Sequence, residues 1–271
     1  YIFMYMDKCF PELKKRFLEI LETPKEKLNK ALTSNQLATV ALLVSHLVPK
    51  SDAQRTKYLR IISDLVLGRP DLEDFPANIQ EIELEAGTVQ VPDGLLWQSL
   101  AYLVSVYSDP SCYSRSVLKK VEEEILKKCD KGHKIDFESA SICLSSMAGA
   151  KDRISDTVLA RILEMTHSQI ITDGSAQIPQ FDGRSIARFL NAVNIFYAEL
   201  PPNQIVKELF EYFSSLIQSQ KISSRIKKED YESFKKSFAE TKNFQASSEF
   251  LNFLQKATER KQLTLQTKNE F

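Results

Sequence analysis

The most informative feature of this chain is a spaced run of apolar and small residues that occurs four times. The runs begin at Leu37, Leu96, Phe137 and Ile186, and a second amphipathic segment follows each of them. Apolar positions every three or four residues predict helices, so each run and its follower predict a helix pair. One pair cannot bury its apolar stripe alone, so neighbouring pairs must stack. The pattern predicts an all-α fold, an α-solenoid of about five helical hairpins, with a compact helical bundle as the alternative.

The same pattern divides the chain into three parts. We expect N-terminal helices over residues 1–33, the helical-repeat solenoid over 34–218, and a degenerate helical pair with an extended tail over 219–271. The tail is expected to begin at residue 262. Ser34 and Asp136 are predicted N-caps, a second helix is expected to start near Ser155, and the fourth pair is expected to begin at Asp182.

An acidic insertion interrupts the repeat at about 70–92. Residues 70–93 contain seven acidic residues and no basic one, and their alternation around Ala86-Gly87 is consistent with a small β-hairpin. Glu81, Glu83 and Glu85 are therefore candidates for binding a basic protein. An intramolecular contact with the N-terminal helices and a solvated loop are the alternatives. Trp97, which follows the insertion, is a further candidate for protein binding, with core packing as its alternative.

The residues that catalysis would require do not form a recognisable motif. The sequence lacks a Gly-rich phosphate loop, an HExxH pair, a nucleophile elbow and an EF-hand loop. Ser116-x-x-Lys119 is interpreted as helix surface, and His46, His133 and His167 are too far apart in sequence to imply one metal site. We therefore predict a protein that is not an enzyme and has no cofactor or metal. Four cysteines without CxxC spacing favour an intracellular setting, and the apolar stretches are too short to span a membrane.

A basic run near the C-terminus is the candidate RNA contact. The 36 basic and 36 acidic residues give zero net charge, so no global field attracts nucleic acid. A local cluster can still neutralise phosphates and release counterions. The predicted RNA-binding residues are Lys221, Arg225, Lys227, Lys228, Lys235 and Lys236. Phe234, Phe238 and Phe244 interleave with them and are positioned to stack bases, or alternatively to form core.

Two strings resemble the repeats of organellar helical-repeat proteins. They are SICLSSMAGAKDRISDTVLARILEMTHSQI at 141–170 and SIARFLNAVNIFYAELPPNQIVKELFEYFSSLI at 185–217. Both are similar to octotricopeptide and heptatricopeptide repeats and to the helical part of RAP-domain and FAST-kinase-like proteins, and the resemblance extends over about 34–218. It implies a mitochondrial or plastid scaffold associated with RNA processing or with the mitochondrial ribosome. Its partners would be proteins of that assembly and rRNA or other organellar RNA, without a small-molecule substrate.

Two other functions remain open. One is a structural accessory subunit of a protein-only complex, such as a respiratory complex or ATP synthase. The other is a cytosolic adaptor, since the composition fits a cytoplasmic protein equally well.

Overall fold

A computed structural model describes residues 15, 18–69, 96–150, 155–172, 181–198, 200–219 and 221–269. Every regular element in these ranges is a helix and none is a strand, which confirms the all-α prediction. The predicted β-hairpin falls on residues 70–92 and lies outside the described ranges. None of the described helices combines the length and the apolar character needed to cross a lipid bilayer.

The chain forms two compact units, Tyr1–Lys127 and Lys128–Phe271. In the first unit α2 packs against α3 and α4, and α1 packs against α3. Leu37, Ala41 and Val44 of α2 are fully buried, as the repeated apolar spacing requires. The helices of this unit, the last of which continues into the second unit, are α1 (Lys25–Ala31), α2 (Ser34–Leu47), α3 (Ala53–Leu67), α4 (Trp97–Tyr107) and α5 (Arg115–Asp130).

The second unit contains three helical hairpins in succession. Its helices are α6 (Phe137–Ala148), α7 (Asp156–His167), α8 (Gly183–Tyr197), α9 (Gln204–Gln218), α10 (Lys228–Glu240) and α11 (Ser248–Asn269). A π-helical turn, Ser168–Thr172, extends α7, and a 3₁₀ turn, Ser223–Arg225, precedes α10. The first helices pack in the order α6, α8, α10, and the second helices pack in the order α7, α9, α11. Within this unit each hairpin therefore lies on the one before it.

Small buried residues line the first helices of these hairpins. Ser139, Ser141 and Ser185 are buried, and their short side chains leave room for neighbouring helices to pack closely. A buried hydroxyl needs a hydrogen-bond partner. Ser141 Oγ donates to the Glu138 carbonyl at 2.8 Å, and Ser185 Oγ donates to an Asp182 carboxylate oxygen at 2.9 Å. The mixed small and apolar pattern of the sequence thus becomes a helix contact surface.

An aromatic cluster joins α6, α8 and α9. Phe137, Phe181, Phe189 and Phe213 have ring centroids between 4.9 Å and 5.8 Å apart in five pairs, with tilted or edge-to-face geometry. Such pairs contribute about 0.5–1.5 kcal/mol each beyond the area they bury. Phe181 precedes α8 and is fully buried, so the cluster also fixes where this helix begins.

Three predicted helix starts are confirmed by their capping hydrogen bonds. The side-chain oxygens of Asp136, Ser155 and Asp182 each accept from a backbone N–H two or three residues further on. The distances are 2.8, 3.3 and 2.9 Å. Each bond satisfies one of the donors that the first helical turn leaves unpaired. Local sequence was sufficient to locate these three ends.

The predicted N-cap at Ser34 is wrong by one residue. Thr33 caps α2, since its Oγ1 accepts from the Gln36 N–H at 3.2 Å and its own N–H donates to Gln36 Oε1 at 2.8 Å. This reciprocal pair is a capping box, which requires Glu or Gln three residues after the cap. Thr33 meets that requirement with Gln36, whereas Ser34 is followed three residues later by Leu37.

The extended tail predicted from residue 262 is also wrong as far as residue 269. Helix α11 continues to Asn269. The sequence contains no glycine or proline after Pro202, and residues 262–268 include Gln, Leu and Lys, which favour helix. Because no residue here terminates a helix, the second helix of the last predicted hairpin continues to residue 269.

Candidate nucleic-acid interface

The candidate RNA-binding residues lie on the turn after α9, on the 3₁₀ turn and on α10. Ile222 and Ile226 are buried and anchor this segment to the core of the second unit. Lys221, Arg225 and Lys227 are exposed on either side of these anchors. The alternation of buried isoleucine and exposed basic residues therefore directs three positive charges toward solvent within one short segment.

Lys228, Lys235 and Lys236 interact with side chains of the helices. Lys228 Nζ lies 3.4 Å from Glu232 and Lys236 Nζ lies 4.0 Å from Glu240, both at i,i+4 along α10. Lys235 Nζ donates to the Gln255 side chain on α11. Exposed pairs of this kind contribute only about 0.2–0.5 kcal/mol, so a phosphate can compete with them. Lys221, Arg225 and Lys227 are exposed and lie within seven consecutive residues of the chain.

A buried carboxylate lies directly beneath this segment. Asp230 is 8% exposed, and its Oδ2 accepts from the Lys227 backbone N–H at 2.7 Å, which caps α10. Burial raises the pKa of Asp230, and the nearby Asp182 carboxylate raises it further, while the Lys227 N–H acts in the opposite direction. The capping role of Asp230 was not predicted from the sequence. Its position three residues after Lys227 was the signal of a capping role.

The phenylalanines of this region form core. Phe234 and Phe238 are 0% and 2% exposed, and Phe238 packs edge-to-face on Phe250 with ring centroids 4.9 Å apart. Phe244 is half-buried against Phe210 and Phe238. The prediction of base stacking is wrong for Phe234 and Phe238, because a base cannot reach these two rings in the folded chain. For them the core alternative is correct.

The candidate protein-binding residues are the three glutamates of the acidic insertion and Trp97. Glu81, Glu83 and Glu85 lie outside the described residues. Trp97 is the first residue of α4 and is 8% exposed, as its core alternative predicts. Its indole Nε1 is buried and has no hydrogen-bond partner among the described residues. The ring thus contributes to the core of the first unit.

The titratable residues considered for catalysis or metal binding are separate from one another. Among the residues described, no group of three His, Cys, Asp or Glu side chains has the arrangement of a metal site. His167 Nε2 lies 2.6 Å from Glu208 Oε2 and joins α7 to α9. The hydrogen bond from Gln204, together with that of His167, lowers the pKa of Glu208. This pair links two helices and lies apart from the basic segment in sequence.

Comparison with protein families, curated proteins and solved structures finds no match in any of the three. The similarity of residues 34–218 to organellar repeats stays a prediction from the sequence.

Proposed function

We propose that this chain is a non-catalytic helical-repeat scaffold in a large mitochondrial ribonucleoprotein assembly, associated with the mitochondrial ribosome or with RNA processing. The observation that supports it best is the order of packing in the second unit, where first helices contact first helices and second helices contact second helices. Hairpins that pack in this way are typical of α-solenoids, whose extended surfaces bind macromolecules. The mitochondrial setting rests on the resemblance of residues 141–170 and 185–217 to organellar repeats.

In this proposal RNA is held by its phosphates rather than by its bases. Lys221, Arg225 and Lys227 are exposed, whereas the neighbouring Phe234 and Phe238 are buried. Each phosphate neutralised on a single strand contributes about −0.7 to the slope of log K against log salt. Three contacts would therefore give a slope of roughly −2. Binding should be strongly salt-dependent and nearly independent of sequence.

The test is reversal of these three charges. The variant Lys221→Glu/Arg225→Glu/Lys227→Glu keeps Ile222 and Ile226, so we expect it to fold. The matched control reverses three exposed lysines on other elements, Lys27, Lys119 and Lys134, and changes the net charge by the same amount. Binding to single-stranded RNA is measured against salt concentration, and sedimentation of tagged protein from a mild lysate is measured with and without ribonuclease.

We expect the reversed cluster to weaken RNA binding, to remove most of the salt dependence and to release the protein from ribosome-sized particles. The control should retain all three properties. Equal RNA binding by the two variants would exclude this segment as the RNA contact. Sedimentation with light fractions only, in wild type as well as variants, would contradict membership of a large assembly.

A protein-only assembly is the second candidate, and one observation favours it. Lys228, Lys235 and Lys236 have polar or acidic partners on α10 and α11, so at least half of the basic run is engaged within the chain. A heavy sedimentation position that ribonuclease leaves unchanged would support this candidate, an accessory subunit of a respiratory complex or ATP synthase. Fractionation with cytosol instead of mitochondria would favour an adaptor.

A further inference from the structure

The basic segment, residues 221–227, contains a serine whose hydroxyl is not used by the fold. Ser224 is the middle residue of the 3₁₀ turn Ser223–Arg225, and its side chain is exposed. In the described part of the chain its hydroxyl has no hydrogen-bond partner. The turn is closed by backbone bonds instead, since the Ile226 N–H donates to the Ser223 carbonyl at 3.3 Å. The Ser224 hydroxyl therefore faces solvent from a turn that does not need it.

The other serines between residues 219 and 237 differ from Ser224. Ser223 is half-buried and Ser237 is buried. Ser219 Oγ donates to a backbone carbonyl of α9 at 2.7 Å, and Ser233 Oγ donates to a backbone carbonyl of α10 at 2.9 Å. Among these five serines, Ser224 is thus the one that combines exposure with an uncommitted hydroxyl.

Basic residues surround Ser224 at short spacing. Lys221 lies three residues before it, Arg225 directly after it and Lys227 three residues after it, and all three are exposed. Protein kinases choose their substrates partly by the pattern of charge around the reacting hydroxyl, and one large class selects serines flanked by lysine and arginine. The charge pattern and the exposed hydroxyl are separate observations, and both indicate the same residue.

We propose that Ser224 is a phosphorylation site for a basic-directed serine kinase and that its phosphate blocks RNA from the basic segment. The second half rests on the RNA contact proposed above. In the transfer, Ser224 Oγ attacks the γ-phosphorus of ATP, so that the Oγ–P bond forms and the bond from this phosphorus to the β–γ bridging oxygen breaks. ADP leaves, and the hydroxyl proton passes to the catalytic aspartate of the kinase.

The phosphate would reverse most of the charge that the segment offers to RNA. It adds a charge of about −2, and its oxygens can accept charge-assisted hydrogen bonds from the neighbouring Lys221, Arg225 and Lys227. Two of the three positive charges are then neutralised within the chain, and one remains. Because each single-strand phosphate contact contributes about −0.7 to the slope of log K against log salt, the slope should change from roughly −2 to roughly −0.7.

The test treats the full chain with ATP and the catalytic domain of protein kinase C, which phosphorylates serines flanked by lysine and arginine. Mass spectrometry measures the uptake and the position of the phosphate, and binding to single-stranded RNA is then measured against salt concentration. Ser224→Ala is compared with Ser233→Ala, which removes an exposed serine of α10. Since both side chains are exposed, we expect both variants to fold as wild type does.

We expect phosphate on Ser224 of wild type and of Ser233→Ala. The phosphorylated wild type should bind RNA at least about tenfold more weakly at low salt, whereas kinase treatment should leave RNA binding by Ser224→Ala unchanged. Absence of phosphate from Ser224, under conditions in which the kinase phosphorylates a peptide with a serine between lysine and arginine, would overturn the proposal. RNA binding that the phosphate on Ser224 leaves unchanged would also overturn it. Phosphate uptake is measured without RNA, so a chain that is phosphorylated at Ser224 but never binds RNA would support the modification site and contradict the proposed RNA contact.

Discussion

Replacement of Gly183 by alanine tests the contact between α8 and α10. Gly183 is the first residue of α8, and a Cβ built on it would lie 2.5 Å from Asp230 Oδ2, 2.9 Å from Cγ and 3.0 Å from Cβ. Contacts this short require displacement of Asp230. That side chain is buried and holds the Lys227 N–H at 2.7 Å. Alanine at position 183 would therefore disturb the N-terminus of α10, on the neighbouring hairpin.

The size of the effect follows from three contributions. Loss of the Asp230 capping bond costs about 0.5–2 kcal/mol. Insertion of one methyl group into a closely packed contact costs about 1–3 kcal/mol. The better helix propensity of alanine offsets these costs by at most about 1 kcal/mol. We expect Gly183→Ala to lower the free energy of unfolding by about 1–3 kcal/mol.

Urea unfolding followed by far-ultraviolet circular dichroism measures this loss. Gly149→Ala is the matched control, since Gly149 follows α6 in the same unit with φ −66° and the nearest atom to its Cβ would be the Ser146 carbonyl oxygen at 3.5 Å. That is an ordinary contact distance, so the control should stay within about 0.5 kcal/mol of wild type.

Gly183→Ala measured in a chain that also carries Asp230→Ala isolates the contact itself. Asp230→Ala removes Oδ2 and Cγ, so Gly183→Ala should lose most of its effect when combined with it, and the double-mutant cycle should show a large coupling energy. The reasoning is refuted if Gly183→Ala is as stable as wild type. It is also refuted if the substitution costs the same with and without the Asp230 carboxylate.

Two other substitutions test buried polar residues. Burial and the Asp182 charge raise the pKa of Asp230, so the folded chain binds this proton more readily than the unfolded chain and gains stability as pH falls from 7 toward about 4. Asn at position 230 cannot ionise, so the free energy of unfolding of Asp230→Asn relative to wild type should be highest at pH 7 and should fall toward pH 4.5 in urea unfolding. A difference that does not change with pH would contradict this. Arg69 is buried and donates to Ser34 Oγ at 2.8 Å, to the backbone carbonyl of Asn29 in α1 and to that of Leu32 directly after α1. Arg69→Ala should cost about 2–4 kcal/mol, read from the fluorescence of Trp97, the single tryptophan; a loss below about 1 kcal/mol would show that these bonds matter little.

Most of the helices could be predicted from the sequence because their signals are local. Apolar spacing located the first helices, and Asp136 and Ser155 mark helix starts through bonds that span two or three residues. The errors were local as well. The predicted N-cap was Ser34, whereas Thr33 forms the capping box with Gln36, and the tail was predicted to be extended although nothing in it ends a helix.

The candidate RNA segment was only partly predictable. The run of basic residues was visible, but whether each charge is free to bind depends on its neighbours in the fold. Lys235 meets Gln255 of the following helix, and that contact cannot be read from the sequence. The role of Phe238 was undecided for the same reason, since its i,i+4 spacing with Phe234 fits a binding face as well as a core face. Burial against Phe250 decides for the core.

The ion pairs of the first unit gave no sequence signal because they depend on which charges meet in space. A chain with 36 basic and 36 acidic residues has zero net charge, but that total does not say which basic residue pairs with which acidic one. Lys25 and Lys50 are far in sequence from the turn before α5, but in the fold they neutralise Asp64 and Asp109. Folding thus pairs charges that lie far apart in the sequence, and the list of basic and acidic residues cannot show which of them meet.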